Sequence, residues 1–517
     1  MSIDNGTTWT EYTSSYDYNY IGTKLVTLNK GDKLLLKGEN DTYAKSDTAS
    51  TCFKSTGQFE IKGNIMSLVS GDSFINANEL IATYTFNYLF YQCTKLKSAK
   101  NLVLPATTLT EYCYAYMFNN CTNLMTTPEL PATTLASNCY SAMFSSCKSL
   151  TAAPELPATT LASNCYHYMF GNCTSLTTAP ELPATTLASY CYDYMFGNCT
   201  SLTTAPELPA TTLASYCYDG MFEGCTNLTD APELSATTLA SDCYNEMFRG
   251  CTNLTTAPEL PATTLVEGCY YRMFYNCKKL TNVQLPATTL AKECYYDMFY
   301  NCISLVNTPE LPVTTLAERC YYWMFHNCTS LTTAPELPAT TLAGYCYGSM
   351  FEGCKSLTTA PELPATTLAG GCYQSMFKGC TSLTTAPTLP ATTLSNYCYE
   401  EMFNGCTSLT TAPELPVTTL KTLCYNSMFK GCTSLTMAPE LPATTLAYGC
   451  YQSMFNGCTN LNNITCLATD ISATNCTANW VSGVAANGTF TKATSMTSWT
   501  TGVNGIPSGW TVQNISN

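Results

Sequence analysis

The sequence predicts an α/β repeat solenoid in which each unit of about 26 residues is one short strand and one short helix. Three observations predict it. Met-Phe pairs recur at 117/118, 143/144, 169/170 and onward to 454/455, a fixed step that marks stacked units with no core of their own. Each unit also has two halves of different character, an extended half rich in proline and threonine and an apolar half at helical spacing. Composition supplies the third: only 11% of the 517 residues are charged, so the chain must bury apolar surface continuously.

The unit from Leu150 to Cys173 reads LTAAPELPATTLASNCYHYMFGNC. Pro157 and the Thr159-Thr160 pair favour extended backbone, because proline keeps the residue before it out of the helical region and β-branched side chains suit a pleated surface. Cys165, Met169 and Cys173 then stand at i, i+4 and i+8, with Tyr166 and Phe170 at i and i+4, which predicts an apolar helical stripe. Ser163 and Asn164 are helix-starting residues, and the Gly or Asn before the closing Cys is read as the stop. Fourteen CYxxMFxxC motifs run from Cys113 to Cys458, after a degenerate YLFYQC at Tyr88–Cys93. One unit is a residue short, across KKLTNVQLPATTL from Lys278 to Leu290.

The pattern CxxLxxxPxLPATTLxxxCYxxMFxxC resembles the bacterial BspA-like leucine-rich-repeat family. Met-Phe stands here where that family often has Ala-Phe, and Cys165 where it often has Ile. The resemblance implies a leucine-rich-repeat solenoid that works in surface adhesion or protein binding rather than in a reaction. Three regions follow: residues 1–78, a small β-rich N-terminal domain suggested by YIGTKLVTL, KLLLKG and FEIKGNIMSLV; residues 79–461, a solenoid of 14–15 units; and residues 462–517, a C-terminal cap holding Trp480, Trp499 and Trp510. At strand spacing the units would stack to roughly 70 Å.

Of the 32 cysteines, 29 open or close the repeated motif. Two thiols eight residues apart on a helix are separated by about 12 Å, too far to bridge, and no C-x2-C pair or histidine cluster suggests zinc. Each Cys is therefore expected to be a small buried hydrophobe, which suits a reducing compartment. No metal and no cofactor is expected. The PELP glutamates, Glu129 to Glu440, are read as a solvated acidic edge, since one carboxylate per unit falls short of calcium's needs.

A net charge of −14 excludes the basic footprint that nucleic-acid binding needs. No apolar run is long enough to span a bilayer, and MSIDNGTTWTEYTSS has neither the basic nor the apolar region of a signal peptide, so synthesis and assembly in a bacterial cytoplasm are expected. No GxSxG, HExxH or phosphate loop occurs, and His167 and His326 lie six units apart, so no catalytic residues and no enzyme activity are expected.

Comparison between units separates what the repeat demands from what each unit adds. Variation concentrates at the two residues after the motif's Tyr and the two after its Phe, which is the outer face of the expected helix. Most units place small or polar residues there. Three adjacent units carry Tyr271, Arg272 and Tyr275, then Tyr296, Asp297 and Tyr300, then Tyr322, Trp323 and His326. Stacked in register, Tyr271, Arg272, Tyr275, Tyr296, Tyr300, Tyr322, Trp323 and His326 form the candidate ligand-binding patch, flanked by Lys278, Lys279, Lys292 and Arg319. The bland alternative is local packing, with large side chains covering a neighbouring unit, filling the gap left by the short one, or meeting another subunit. The expected partner is a protein receptor or a surface glycan, on a virion or a bacterial cell surface, with a terminal domain anchoring the chain. The alternative role is a structural fibre or decoration component of a virion, in which the array is a spacer.

Overall fold

The computed structural model describes residues 1–12, 24–46 and 49–515; part of YIGTKLVTL lies outside them. The chain divides into two compact units, Met1–Thr238 and Leu239–Asn517.

In the first unit, β1 (Ala44–Ser46) pairs antiparallel with β2 (Ala49–Ser50), and β3 (Phe59–Asn64) pairs in parallel with β4 (Leu96–Val103). Between β3 and β4 lie a one-turn helix, α1 (Ser67–Ser70), and a 3-10 helix (Gly71–Asn76). From β4 onward each rung of the repeat lies beside the next, joined by isolated parallel bridges such as Ala152↔Thr178 and Thr160↔Thr186. The second unit repeats this arrangement, with Thr333, Thr359, Thr385 and Thr411 bridged in one column. It closes in a three-stranded parallel sheet of β5 (Asn463–Cys466), β6 (Thr489–Ala493) and β7 (Thr511–Ile515).

The expected helix in each repeat does not form. Across CYxxMFxxC the backbone is a ribbon of overlapping turns, and its hydrogen bonds alternate in direction. In the rung at Cys165, the amides of Cys165, His167, Met169, Gly171 and Cys173 donate three residues back, while those of Tyr166, Tyr168, Phe170 and Asn172 donate to Cys191, Asp193, Met195 and Gly197 of the next rung. An α-helix would send every amide four residues back and leave none for a neighbour. The ribbon needs a left-handed residue at every fourth position, and Asn164, Tyr168 and Asn172 have φ of 55°, 51° and 62°. A repeat of four in a turn ribbon places i, i+4 and i+8 on one side as a helix does, which is why the apolar spacing fits both.

The Asn or Gly before the closing Cys is thus a left-handed position of the ribbon rather than a helix stop. Gly379, Gly405, Gly431 and Gly457 fill it in successive rungs, with φ of 72° to 77°.

The residues common to all rungs make the core. In the rung at Cys165, Cys165, Met169, Phe170, Cys173 and Leu176 are wholly buried, as nearly are Tyr166, Leu182 and Ala184. Within the first unit Tyr114, Tyr140, Tyr166, Tyr192 and Tyr218 stack with ring centroids 5.7–6.0 Å apart, and Phe118 to Phe222 form a second stacked column. The second unit has the same two columns, the tyrosine column ending on Trp480. Such stacking adds about 0.5–1.5 kcal/mol per pair beyond area burial.

Candidate binding face of the turn ribbon

All eight candidate residues lie in the second unit and all are half-buried. The patch is two stacked columns of rings rather than a set of exposed aromatic faces. Tyr271, Tyr296 and Tyr322 form one, with centroids 4.7 and 5.3 Å apart; Tyr275, Tyr300 and His326 form the other, at 4.5 Å in both steps. Trp323 stands across both, edge-on to Tyr296 at 5.8 Å and to His326 at 6.3 Å. Its φ is 55°, a left-handed conformation that is strained for a bulky side chain.

Arg272 ties three rungs together. Its Nε donates to Asp297 Oδ2 at 2.9 Å, its Nη1 to Glu246 Oε1 at 3.4 Å, and its guanidinium lies 4.9 Å from the centroid of Tyr271. Asp297 is 1% exposed, and its second oxygen finds no hydrogen-bond partner among the described residues. Burial pushes Asp297 up to about 6, with Arg272 pulling in the opposite direction. His326 is pushed down to about 4 by burial and by the charge of Lys378, so its ring is neutral at pH 7. Beyond it Lys378 donates to Glu401 at 2.6 Å and lies 3.8 Å from Glu352.

The flanking cations divide. Lys292 pairs with Glu267 at 2.9 Å and Arg319 with Glu293 at 3.2 Å, whereas Lys278 and Lys279 are exposed beyond the closing Cys277. A shallow hollow lies on the strand side, between the short unit and the next rung. It is lined by Thr288, Thr289, Pro312, Val313, Thr314 and Leu316, with no aromatic residue in its wall.

Sequence reasoning missed a constellation in the first unit. Ser141, His167 and Asp193 occupy one position in three successive rungs, with Ser141 Oγ 3.3 Å from His167 Nδ1 and His167 Nε2 3.3 Å from Asp193 Oδ2. The repeat period alone could have revealed it, since the residues are 26 apart. It has the order of a nucleophile, base and carboxylate but not the setting. Ser141 is 3% exposed, its own amide is bonded to Asn138 and the amide of Ala142 to His167, so no backbone donor is left there for an oxyanion. Burial raises Asp193 and lowers His167, so the pair disfavours separated charge.

The strand side is uniform. Thr159, Thr160, Glu155 and Pro157 are exposed, and so are the counterparts of the two threonines and the glutamate along both units, while the proline position is half-buried at Pro105, Pro261, Pro338 and Pro442. Threonine hydroxyls there donate back one rung, as Thr177 does to the carbonyl of Thr151 at 3.1 Å. All 32 cysteines are free, and among the described residues no group of three or more metal-ligating side chains is assembled. No helix of the described residues is long and apolar enough to cross a membrane.

Rungs with the same buried residues and one varied face define a repeat scaffold. The BspA type leucine rich repeat region family (6 copies) matches residues 75–203, 137–272, 241–384 and 345–477. These matches run over well more than half of the chain, which belongs to this family; its repeats are protein-binding and adhesion modules on a scaffold that is generally non-catalytic. Among solved structures the chain is similar to a leucine-rich repeat protein from Bacteroides ovatus ATCC 8483, at 18% identity and a TM-score of 0.43, over 84% of this chain and 87% of that one. No curated protein matches the chain.

Proposed function

We propose that the chain is an adhesion protein whose contact surface is the turn-ribbon face of the rungs from Cys269 to Cys328, and that its ligand is a protein receptor on a bacterial cell or a phage target. The observation that carries this reading is Trp323. The ribbon imposes a positive φ at this position, filled by Ser349, Ser375, Ser427 and Ser453 in some rungs and by Tyr116, Tyr168, Tyr194 and Arg272 in others; here it carries a half-buried indole, edge-on to Tyr296 and His326 and outside the core columns. Tryptophan and tyrosine at an accessible surface are the side chains most enriched at protein interaction hot spots.

A protein receptor is favoured over a glycan because Tyr300 has Tyr275 on one face and His326 on the other, each at 4.5 Å. Sugar rings pack on aromatic faces, and these are occupied. Ring edges, phenolic hydroxyls and the Trp323 indole are what a protein partner would meet, and Trp and Tyr dominate protein hot spots.

The test is binding of the fluorescently labelled chain to a panel of intact bacteria, before and after protease shaving or periodate oxidation of the cells. Loss on shaving alone is the expected result. Loss on periodate alone would replace the protein receptor by a glycan. Absence of binding to every strain would favour the spacer role in a virion.

A further inference from the structure

The last strand of the second unit is an open edge with none of the usual protection. β7 reads TVQNI and pairs on one side with β6, in register from Thr489↔Thr511 to Ala493↔Ile515. Among the described residues no strand pairs with its other side. The amide of Thr511 donates to Gly488, and the carbonyl of Ile515 accepts from Thr494. By the alternation of a strand, residues 511, 513 and 515 thus bond inward, while the backbone groups of Val512 and Asn514 point away from the sheet. The core runs out at the same place. Ile464 and Phe490 are 0% exposed, but Val512, which follows them in register, is 45% exposed, and Ile515 is 46% exposed.

Charge singles out this end. From Ile471 to Asn517 there is no Asp or Glu and one lysine, Lys492, in a chain of net charge −14. Lys492 is turned inward onto the carbonyl of Met496 at 2.7 Å. The first parallel strand of the first unit is different. β3 carries Glu60 and Lys62 and a left-handed Gly63, and β4 carries Lys97 and Lys100. Charges and irregular backbone of this kind protect an edge from pairing, and β7 has neither.

We propose that β7 is a self-association edge, at which two copies of the chain pair antiparallel about a two-fold axis through Gln513. The twofold places Val512 of each copy opposite Asn514 of the other, so the outward backbone groups form about four hydrogen bonds. It also brings the two Val512 side chains together diagonally on one face of the joined sheet and joins two acidic molecules at a segment that carries no acidic residue. A copy added at β3 would instead meet Glu60 and Lys62.

Light scattering on the size-fractionated chain over a concentration series tests this, and a dimer in equilibrium with monomer is expected. Asn514→Pro removes an outward amide without touching the bonds to β6, and Val512→Lys sets two like charges diagonally across the twofold. Each should weaken dimerisation by about tenfold or more while the melting temperature of the monomer is kept. Gln513→Cys, in a Cys52→Ser background, should cross-link copies under mild oxidation, since the facing Cα atoms of a non-hydrogen-bonded pair come within disulfide reach. A chain that stays monomeric at the highest concentration would overturn the proposal. So would a dimer that survives both substitutions.

Discussion

The thiol of Cys173 donates to the carbonyl oxygen of Phe144, 3.1 Å away and 29 residues earlier in the chain. The same bond recurs at the closing Cys of later rungs, as from Cys354 to Phe325 and from Cys432 to Phe403. The carbonyl of Phe144 also accepts the amide of Cys147, so its two lone pairs serve its own rung and the next. The closing Cys is therefore a staple between rungs, beyond the small hydrophobe that its burial alone would make it. Cys173→Ala should cost about 1 kcal/mol more than Cys165→Ala, whose thiol makes no such bond, in paired urea denaturations.

Burial decides the chemistry of the thiols. Cys52 alone is half-buried while the other 31 are buried, and desolvation pushes Cys173 and Cys302 up to about 12. A buried thiol held protonated does not react. Cys52 is pushed up as well, by the neighbouring Cys93 thiol and by burial, so a thiol reagent at pH 7.5 should label Cys52 slowly and the array not at all in the native protein, and all 32 in denaturant; prompt native labelling of the array would contradict the packing.

The turn ribbon makes a backbone prediction. Gly405 has φ of 77°, and a Cβ there would meet Gly379 Cα at an ordinary 3.7 Å, so a side chain would be strained by its dihedral and not by lack of room. Gly405→Ala should destabilise by about 1–2 kcal/mol. Ser453→Gly, at φ of 51° in the same ribbon, should not destabilise. The far-ultraviolet dichroism should also lack the double minimum of α-helix.

Asp297 supplies a pH dependence. Its folded value of about 6 lies above the ordinary carboxyl value, so the native state holds its proton where the unfolded chain has released it. That contribution to stability is fully present below about 4 and is lost as pH rises to about 6. Asp297→Asn cannot ionise. The variant should gain stability relative to the wild type between pH 4 and 6 and keep that gain above, as read by melting temperatures across the range.

The period, the fixed residues and the family were legible in the sequence because every rung repeats the same buried side chains, Cys165, Tyr166, Met169, Phe170 and Cys173 among them. The local backbone was not. Spacing by four reports which side chains share a face, and both a helix and a turn ribbon satisfy it; only Asn164 and Asn172, tolerant of left-handed backbone, hinted at the ribbon. The candidate patch was legible as a set of residues but not as a geometry. Whether Tyr300 offers a face or an edge depends on the distance between rungs, which composition does not state. The Ser141–His167–Asp193 string is legible only when residues one period apart are set side by side, because no two of its members are neighbours in the chain.

Trp323→Gly tests the central claim most directly. Glycine relieves the positive φ while removing the indole, so fold stability and surface chemistry are separated in one variant. The account predicts that the variant's melting temperature stays within a few degrees of the wild type while its affinity for intact target cells falls by about tenfold or more. Unchanged binding by the folded variant would contradict it.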